Sequence, residues 1–389
     1  MGEEAAVPRF TLETVPHCTA GPVDNAPAPA EVPHPGHMPE PTPAEAAASA
    51  ARGRVRPPGP LGDARGRSGP FTRADALAAG HTPGAIRVRL RRGDWRRVRT
   101  GVYVGRAEWD AAAGNPASAH ALRVSAALRV VSAAVASGTS AAILHGLTLQ
   151  GPPPVAVVLT RARAGLATPA KLPGIELQVA ALPAHHVTVN HGIAATTVAR
   201  TLVDLTRAMP FRDAVMLLDA ALHQRRCTVR AISAVLADCA GWPEVRTAAR
   251  AVAFADPAAE SPLESASRVF FAAHGIAAPR TQHWLGDEGG RIGRVDFCWP
   301  DHRTVGEADG FGKYAEASVL RAEKLRQERL EQAGFVVVRF TWRDVTDRPL
   351  HTAARIRAAF ARGDLTLASE GGCYSSTGPA GFRPVSRAL

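Results

Sequence analysis

The sequence predicts a multidomain protein of mixed α/β and α+β class, and three observations carry that prediction. Its 389 residues exceed one ordinary domain. Helical periodicity alternates with short β-like apolar runs through most of its length. Two Pro-, Ala- and Gly-rich segments without apolar periodicity, residues 1–69 and 369–389, bracket the patterned region. Such composition cannot bury enough surface to offset its ordering entropy, so both are expected to be disordered tails. Between them the pattern divides into residues 70–106, 118–256 and 258–365.

Apolar residues make up 46% of the chain and aromatics only 5%, so its cores must be built largely from Ala, Val and Leu. The 46 Lys and Arg against 35 Asp and Glu leave a net charge of +11, a sign that suits a polyanionic partner. The Ala- and Arg-rich composition carries the mark of a GC-rich genome, and that part of the arginine count says nothing about partners. Cys18, Cys227, Cys239, Cys298 and Cys373 are scattered, without a CxxC pair or metal-ligand spacing. No apolar run approaches the roughly 18 residues that span a bilayer, and the acidic N-terminus lacks a secretory pattern. The expectation is a cytoplasmic protein with reduced thiols and no membrane partner.

In residues 70–106, FTRADALAAG reads as a short helix closed by Gly80, which suits a left-handed C′ position. In HTPGAIRVRLRRGDW, Thr82 is placed to cap a second helix, Pro83 to open it and Gly93 to follow its end. Ile86 and Leu90 are four apart and pack inward. Arg87 and Arg91 share another face, with Arg89 and Arg92 beside them. WRRVRTGVYVG has strand character around a Thr100–Gly101 turn, with Trp95, Val98, Val102 and Val104 as its apolar residues. Two helices followed by a hairpin describe a winged helix-turn-helix, whose second helix enters a major groove while the wing touches phosphates. The candidate DNA-binding residues are therefore Arg87, Arg89, Arg91, Arg92, Arg96 and Arg97. A basic helix that merely solvates one face is the plainer reading of the same charges.

Residues 118–256 mix helices, such as HALRVSAALRVVSAAVAS and AVMLLDAALHQ, with the β-like runs VAVVL and IELQVAAL. Thr196 to Leu205 reads as a helix start, with Leu202 and Leu205 facing a core and Arg200 paired with Asp204 at i, i+4. His185 and His186 follow Pro183 in a loop and are read as solvated rather than metal-bound. No catalytic chemistry is legible in this block, which supports its neighbours or seats a protein partner.

The chemistry concentrates after residue 258. Ser261, Pro262 and Glu264 fit the cap, first and third positions of a capping box, and a glutamate there can also assist a metal site. RIGRVDFCWP reads as a strand, PDHR as a turn and TVGEADG as the return strand. Alternation puts Asp296 on one face with Arg294 and Cys298, and Val295 with Phe297 on the other. Glu307 and Asp309, two apart, share a face. If register sets Asp296 opposite them, three carboxylates converge, and a divalent cation relieves their repulsion. The all-oxygen set suits Mg²⁺ or Mn²⁺ rather than zinc, with Asp296 and Glu307 as ligands. Lys313, just past Gly310 and Gly312, is placed to offset charge developing on phosphorus. EASVLRAEKLRQERLEQAGF is a helix of about five turns, with Glu323 and Gln327 facing the site and Arg326 and Arg329 available to phosphates. FVVVRFTW is a buried strand. Solvated acids on an exposed sheet face are the plainer alternative.

FTRADALAAGHTPGAIRVRLRRGDWRRVRTGVYV resembles the N-terminal domain of the AbiEi family of type IV antitoxins, and SGTSAAILHGLTL with GIAATTVARTLVDLTR resembles the region that follows it there. ESPLES, RVDFCWP, GEADGFGKY and EKLRQERLEQAGFVVVRFTW together resemble an actinobacterial endonuclease-like family of unknown function, related to the very-short-patch repair endonucleases of the PD-(D/E)xK class. That resemblance implies a restriction-endonuclease-like α/β domain. In it Asp296 is the first metal carboxylate and Glu307 the second, Asp309 and Lys313 follow, and Glu264 assists. The strict pattern has lysine two residues after the second carboxylate, where this chain has Asp309, so Lys313 or Lys324 must substitute. Together the resemblances imply a DNA-binding, Mg²⁺-dependent endonuclease-like protein. The alternative is a non-catalytic DNA-binding antitoxin or regulator with a toxin as its partner.

Overall fold

In the computed structural model, which describes residues 69–162, 172–287, 290–309 and 317–371, helices begin where the sequence offers side-chain caps. Thr72 Oγ1 accepts from the Asp75 amide and the Asp75 carboxylate accepts from the Thr72 amide, a capping box that opens α1 (Arg73–Ala78). Thr82 caps α2 (Pro83–Arg92), which ends at Gly93 with φ 77°. Residues 1–68 and 372–389, read as tails, and Lys313 lie outside the described residues.

The hairpin of β2 (Trp95–Arg99) and β3 (Val102–Gly105) follows where the alternation placed it. The sequence reading missed β1 (Phe71–Thr72), which pairs with β3 and completes a three-stranded sheet in the order β1-β3-β2. Phe71, Ile86, Trp95 and Tyr103 fill its small core, Phe71 and Trp95 meeting edge to face with centroids 4.7 Å apart.

After α3 (Arg106–Ala113) and α4 (Pro116–Leu128) comes a five-stranded sheet. Its strands are β4 (Ala134–Ala136), β5 (Val157–Ala162), β6 (Ile175–Ala180), β7 (Val187–Asn190) and β8 (Ile193–Thr196), in the order β6-β5-β4-β8-β7. HALRVSAALRVVSAAVAS is therefore not one helix. The chain leaves α4 at Leu128, Ala133 adopts φ 52°, which no right-handed helix passes through, and β4 takes the central place in the sheet. A helical layer follows, formed by α5 (Gly138–Leu144), α6 (Val198–Thr206), α7 (Phe211–His223), α8 (Val229–Asp238) and α9 (Val245–Phe254). The expected Arg200–Asp204 pair is present, with Arg200 Nε 2.9 Å from both carboxylate oxygens.

The third block runs α10 (Pro262–Ala273), β9 (Arg280–Asp287), β10 (Gly290–Trp299), β11 (Thr304–Asp309), α11 (Ala317–Gln332), β12 (Val336–Thr341), α12 (Trp342–Thr346) and α13 (Pro349–Gly371). The strand β9 was not foreseen, and α13 continues into the stretch read as a tail. The sheet order is β12-β11-β10-β9, with β11 and β12 parallel and the other pairs antiparallel. One face packs Phe297, Trp299 and Phe340 against Phe271 and Ile356. The other packs Val295, Cys298 and Val305 against Leu330 of α11. Val295 and Phe297 thus enter different cores, contrary to simple alternation, and the pattern breaks at Asp296 between them.

A buried ion pair joins α10 to the helical layer. Asp219 of α7 is fully buried; its Oδ2 accepts from Arg268 Nη1 at 2.9 Å and its Oδ1 from the Asp256 amide at 2.7 Å. Removing one partner of such a pair leaves an uncompensated buried charge. Asp219→Ala should therefore lower unfolding stability by about 3–5 kcal/mol in urea titration. The double replacement Asp219→Leu with Arg268→Met should recover most of that loss.

Candidate active site

Glu264 enters the site as part of a helix start. Ser261 Oγ accepts from the Glu264 amide at 3.2 Å, which is the expected cap. The reciprocal half is displaced by one residue, because Glu264 Oε2 accepts from the Glu260 amide at 3.0 Å instead of from Ser261. The same oxygen accepts from Gln282 Nε2 at 2.8 Å, and that nitrogen also donates to Asp296 Oδ1 at 3.1 Å. Asp296 Oδ2 accepts from the Ala308 amide at 2.8 Å. The pairing of Phe297 with Gly306, continued by one residue along the antiparallel strands, sets Asp296 beside Glu307. Helix α10 and strands β9, β10 and β11 all meet here.

The electrostatics follow from burial. Glu307 is 8% exposed, and desolvation pushes its carboxyl up to about 7; Arg326 opposes this shift and the Asp296 charge adds to it. Burial likewise raises Glu264, and Asp296 again contributes in the same direction. Arg326 Nη2 lies 3.0 Å from Glu307 Oε1, yet that buried oxygen has no aligned hydrogen-bond donor among the described residues. Paired carboxylates are the oxygen donors a hard divalent cation takes, and here the Arg326 guanidinium already stands against one of them.

Of the predicted acids, Asp296 is set beside Glu307 by register and is bridged to Glu264 through Gln282, but the three do not gather as one ligand set: among the described residues only the His185, His186 and Asp238 group brings three ligand atoms within 4.8 Å of one another. Asp309 stands half-buried at the end of β11, in register with Thr341 of β12. Arg326 and Arg329, read as phosphate contacts, turn inward and donate to the Arg294 and Arg291 carbonyls at 3.2 and 3.1 Å. Lys324 is exposed. Sequence reasoning missed Gln282, and also Arg339, which sits in register with Glu307 on the neighbouring strand. Arg339 and Arg326 both reach Glu323, forming a chain of alternating charge that ends on Glu307. An arginine within the apolar run VVVRF was a visible signal; nothing in the sequence marked Gln282.

The six arginines predicted to bind DNA, Arg87, Arg89, Arg91, Arg92, Arg96 and Arg97, are all exposed on α2 and β2. The Arg89 guanidinium lies over the Trp95 ring at 5.3 Å.

A second cluster has ligand-type side chains but different chemistry. His185, His186 and Asp238 hold their ligand atoms within 4.8 Å of one another. His186 is 1% exposed, so the expectation of a solvated pair fails for it and holds for the exposed His185. Both Nε2 atoms contact Asp238 Oδ2, at 2.8 and 3.0 Å, while His186 Nδ1 lies 3.0 Å from Arg200 Nη1. Arginine only donates, so His186 Nδ1 accepts and its Nε2 carries the proton given to Asp238. In that tautomer Nε2 offers no lone pair to a metal. The group is a hydrogen-bonded tie between α6 and α8.

No family model matches the chain. Over 165 residues it is 34% identical to two uncharacterized proteins from two strains of Mycobacterium tuberculosis, a match covering 42% of this chain and 61% of theirs. The chain therefore spans about three fifths of the length of the curated relatives it matches. The crystal structure of a further M. tuberculosis protein aligns over 58% of this chain and 85% of its own, at 14% identity and a TM-score of 0.32. That likeness is too weak to carry an argument about fold.

Glu307 makes a pH prediction. Its folded value near 7 exceeds the roughly 4.3 of an unfolded glutamate, so the native state favours the protonated form. Its contribution to stability is whole below about pH 4 and is lost as pH rises through 7. Glu307→Gln should flatten that fall, gaining up to roughly 3 kcal/mol over wild type at pH 8 and little at pH 4.5. Urea titrations at both pH values measure it, and parallel profiles for the two proteins would refute the assignment.

Proposed function

We propose that this chain is a DNA-binding, divalent-metal-dependent endonuclease-like protein that hydrolyses phosphodiester bonds. The observation that carries the reading is the buried Glu307 carboxylate beside Asp296, with one oxygen lacking an aligned donor. Asp296 and Glu307 are the residues that would hold Mg²⁺ or Mn²⁺, with Glu264 behind Asp296. Such an ion, when bound, supplies Lewis-acid polarisation of a phosphoryl oxygen. Glu307 must be ionised to take part, so its raised value makes occupancy rise with pH through neutrality.

The chain's own cations do the rest. Arg326 and Arg339 are held by Glu323 and, for Arg326, by Glu307, and in this reading they act as fixed positive charge behind the carboxylates that offsets charge developing on the phosphate. They occupy the role that the family pattern gives to a lysine at position 309. The exposed arginines of α2 and β2 grip the DNA backbone, in the manner of a winged helix. A second reading, a non-catalytic antitoxin-like regulator, is favoured by Asp309 in place of that lysine.

One measurement separates these readings, and a second tests the DNA binding that both share. Asp296→Ala should abolish Mg²⁺-dependent nicking of supercoiled plasmid while leaving retention in a gel shift unchanged; a wild-type protein that cuts no DNA with Mg²⁺ or Mn²⁺ would leave only the regulator. Replacing Arg87 and Arg91 together by alanine should weaken DNA binding and reduce the slope of log affinity against log salt by nearly 2, about 0.9 for each phosphate that is no longer neutralised.

A further inference from the structure

Gln282 is held in a backbone conformation that its residue type does not favour. It sits within β9 at φ 52°, in the left-handed region where a Cβ meets the following carbonyl. Glycine adopts that region freely, and Asn or Asp do so with local hydrogen bonds; glutamine has neither advantage. The ladder between β9 and β10 pairs Val295 with His283 and Phe297 with Thr281, and it skips the rung between Gln282 and Asp296. This is also where β10 changes which core its side chains enter. A strained residue persists where the surroundings over-determine it, and such positions concentrate at functional sites.

Its side chain explains the conformation. The carboxamide nitrogen carries two protons and faces two acceptors, Glu264 Oε2 at 2.8 Å and Asp296 Oδ1 at 3.1 Å. Both neighbours only accept when ionised, so the NH₂ end of the amide must point at them. Glu264 is 4% exposed, which makes an unsatisfied oxygen there costly. A lysine or arginine could also donate to both carboxylates, but it would cancel their charge and compete with a cation. A neutral amide orients the two acids and leaves their negative charge intact.

We propose that Gln282 is a positioning residue, which ties Asp296 to the buried Glu264 and so fixes the Asp296 carboxylate for a divalent cation held between Asp296 and Glu307. This rests on the metal-site reading above. Its strained backbone is kept for the reach of its amide.

The test uses the full chain and Mn²⁺ alone, with affinity read by electron paramagnetic resonance and folding by thermal midpoint. Gln282→Gly removes the strain and the bridge, whose effects on stability oppose each other, and should still melt cooperatively while binding Mn²⁺ about 10- to 100-fold more weakly, as loss of an outer-shell partner does. Gln282→Asn tolerates the left-handed backbone but is one methylene short, and should lose affinity to a similar degree. Wild-type affinity in either variant overturns the proposal, as does a wild-type protein that binds no Mn²⁺. A lower midpoint with unchanged affinity would make Gln282 merely structural. If wild type binds Mn²⁺ and cuts nothing, while Gln282→Gly loses affinity, the positioning role stands and the nuclease reading falls.

Discussion

The mutual repulsion of carboxylates held out of water is the constraint around which the C-terminal block is arranged. Glu264, Asp296 and Glu307 come from α10, β10 and β11, and two of them are nearly fully buried. Left alone, such a set would take up protons or move apart. The fold instead surrounds it with graded compensation: backbone amides of Glu260 and Ala308, the neutral amide of Gln282, and the guanidinium of Arg326. None of these cancels the charge completely. Glu307 shows the cost of holding charge there: burial above all keeps its carboxyl well above its usual range, and the Asp296 charge adds to that.

The same cluster explains why α10 is fastened so firmly. Glu264 and Arg268 are four residues apart and lie on one side of the helix. Arg268 is tied to the buried Asp219 and to the Phe254 carbonyl. The helix therefore cannot rotate about its axis without breaking a buried ion pair, and its rotation decides where Glu264 points. Cys298 and Val305 on one sheet face, and Phe297 with Trp299 on the other, fix the strands in the same way by packing. Rigidity on both flanks is what a site built from opposed charges requires.

Much of this was legible in the sequence, and the misses have physical causes. Caps at Thr82 and Ser261 located two helix starts, because capping is written locally in the chain, whereas the capping box at Thr72 was not read. The strands β10 and β11 and the pairing of their acids followed from a short turn between alternating runs. The strand β9 was invisible because TQHWLGD has weak alternation, and Gln282 disrupts what there is. β4 was absorbed into a helix because Ala and Val serve either structure, and only sheet pairing decides between them. Tertiary hydrogen bonds had no local signal, so neither the Gln282 bridge nor the burial of His186 was foreseen.

Position 309 sharpens the question of what the site does. A lysine there would project from the same strand as Glu307, two residues on, and its charge would arrive by sequence spacing alone. This chain puts an acid at that place and brings its positive charge from elsewhere, through Arg326 on α11 and Arg339 on β12. Arginine stays charged at any physiological pH and its planar fork suits a phosphate, whereas lysine can shed its proton. In the proposed reading, guanidinium in place of ammonium keeps electrostatic support for a phosphoryl group, and among the described residues beside Glu307 it leaves no cation able to act as a base.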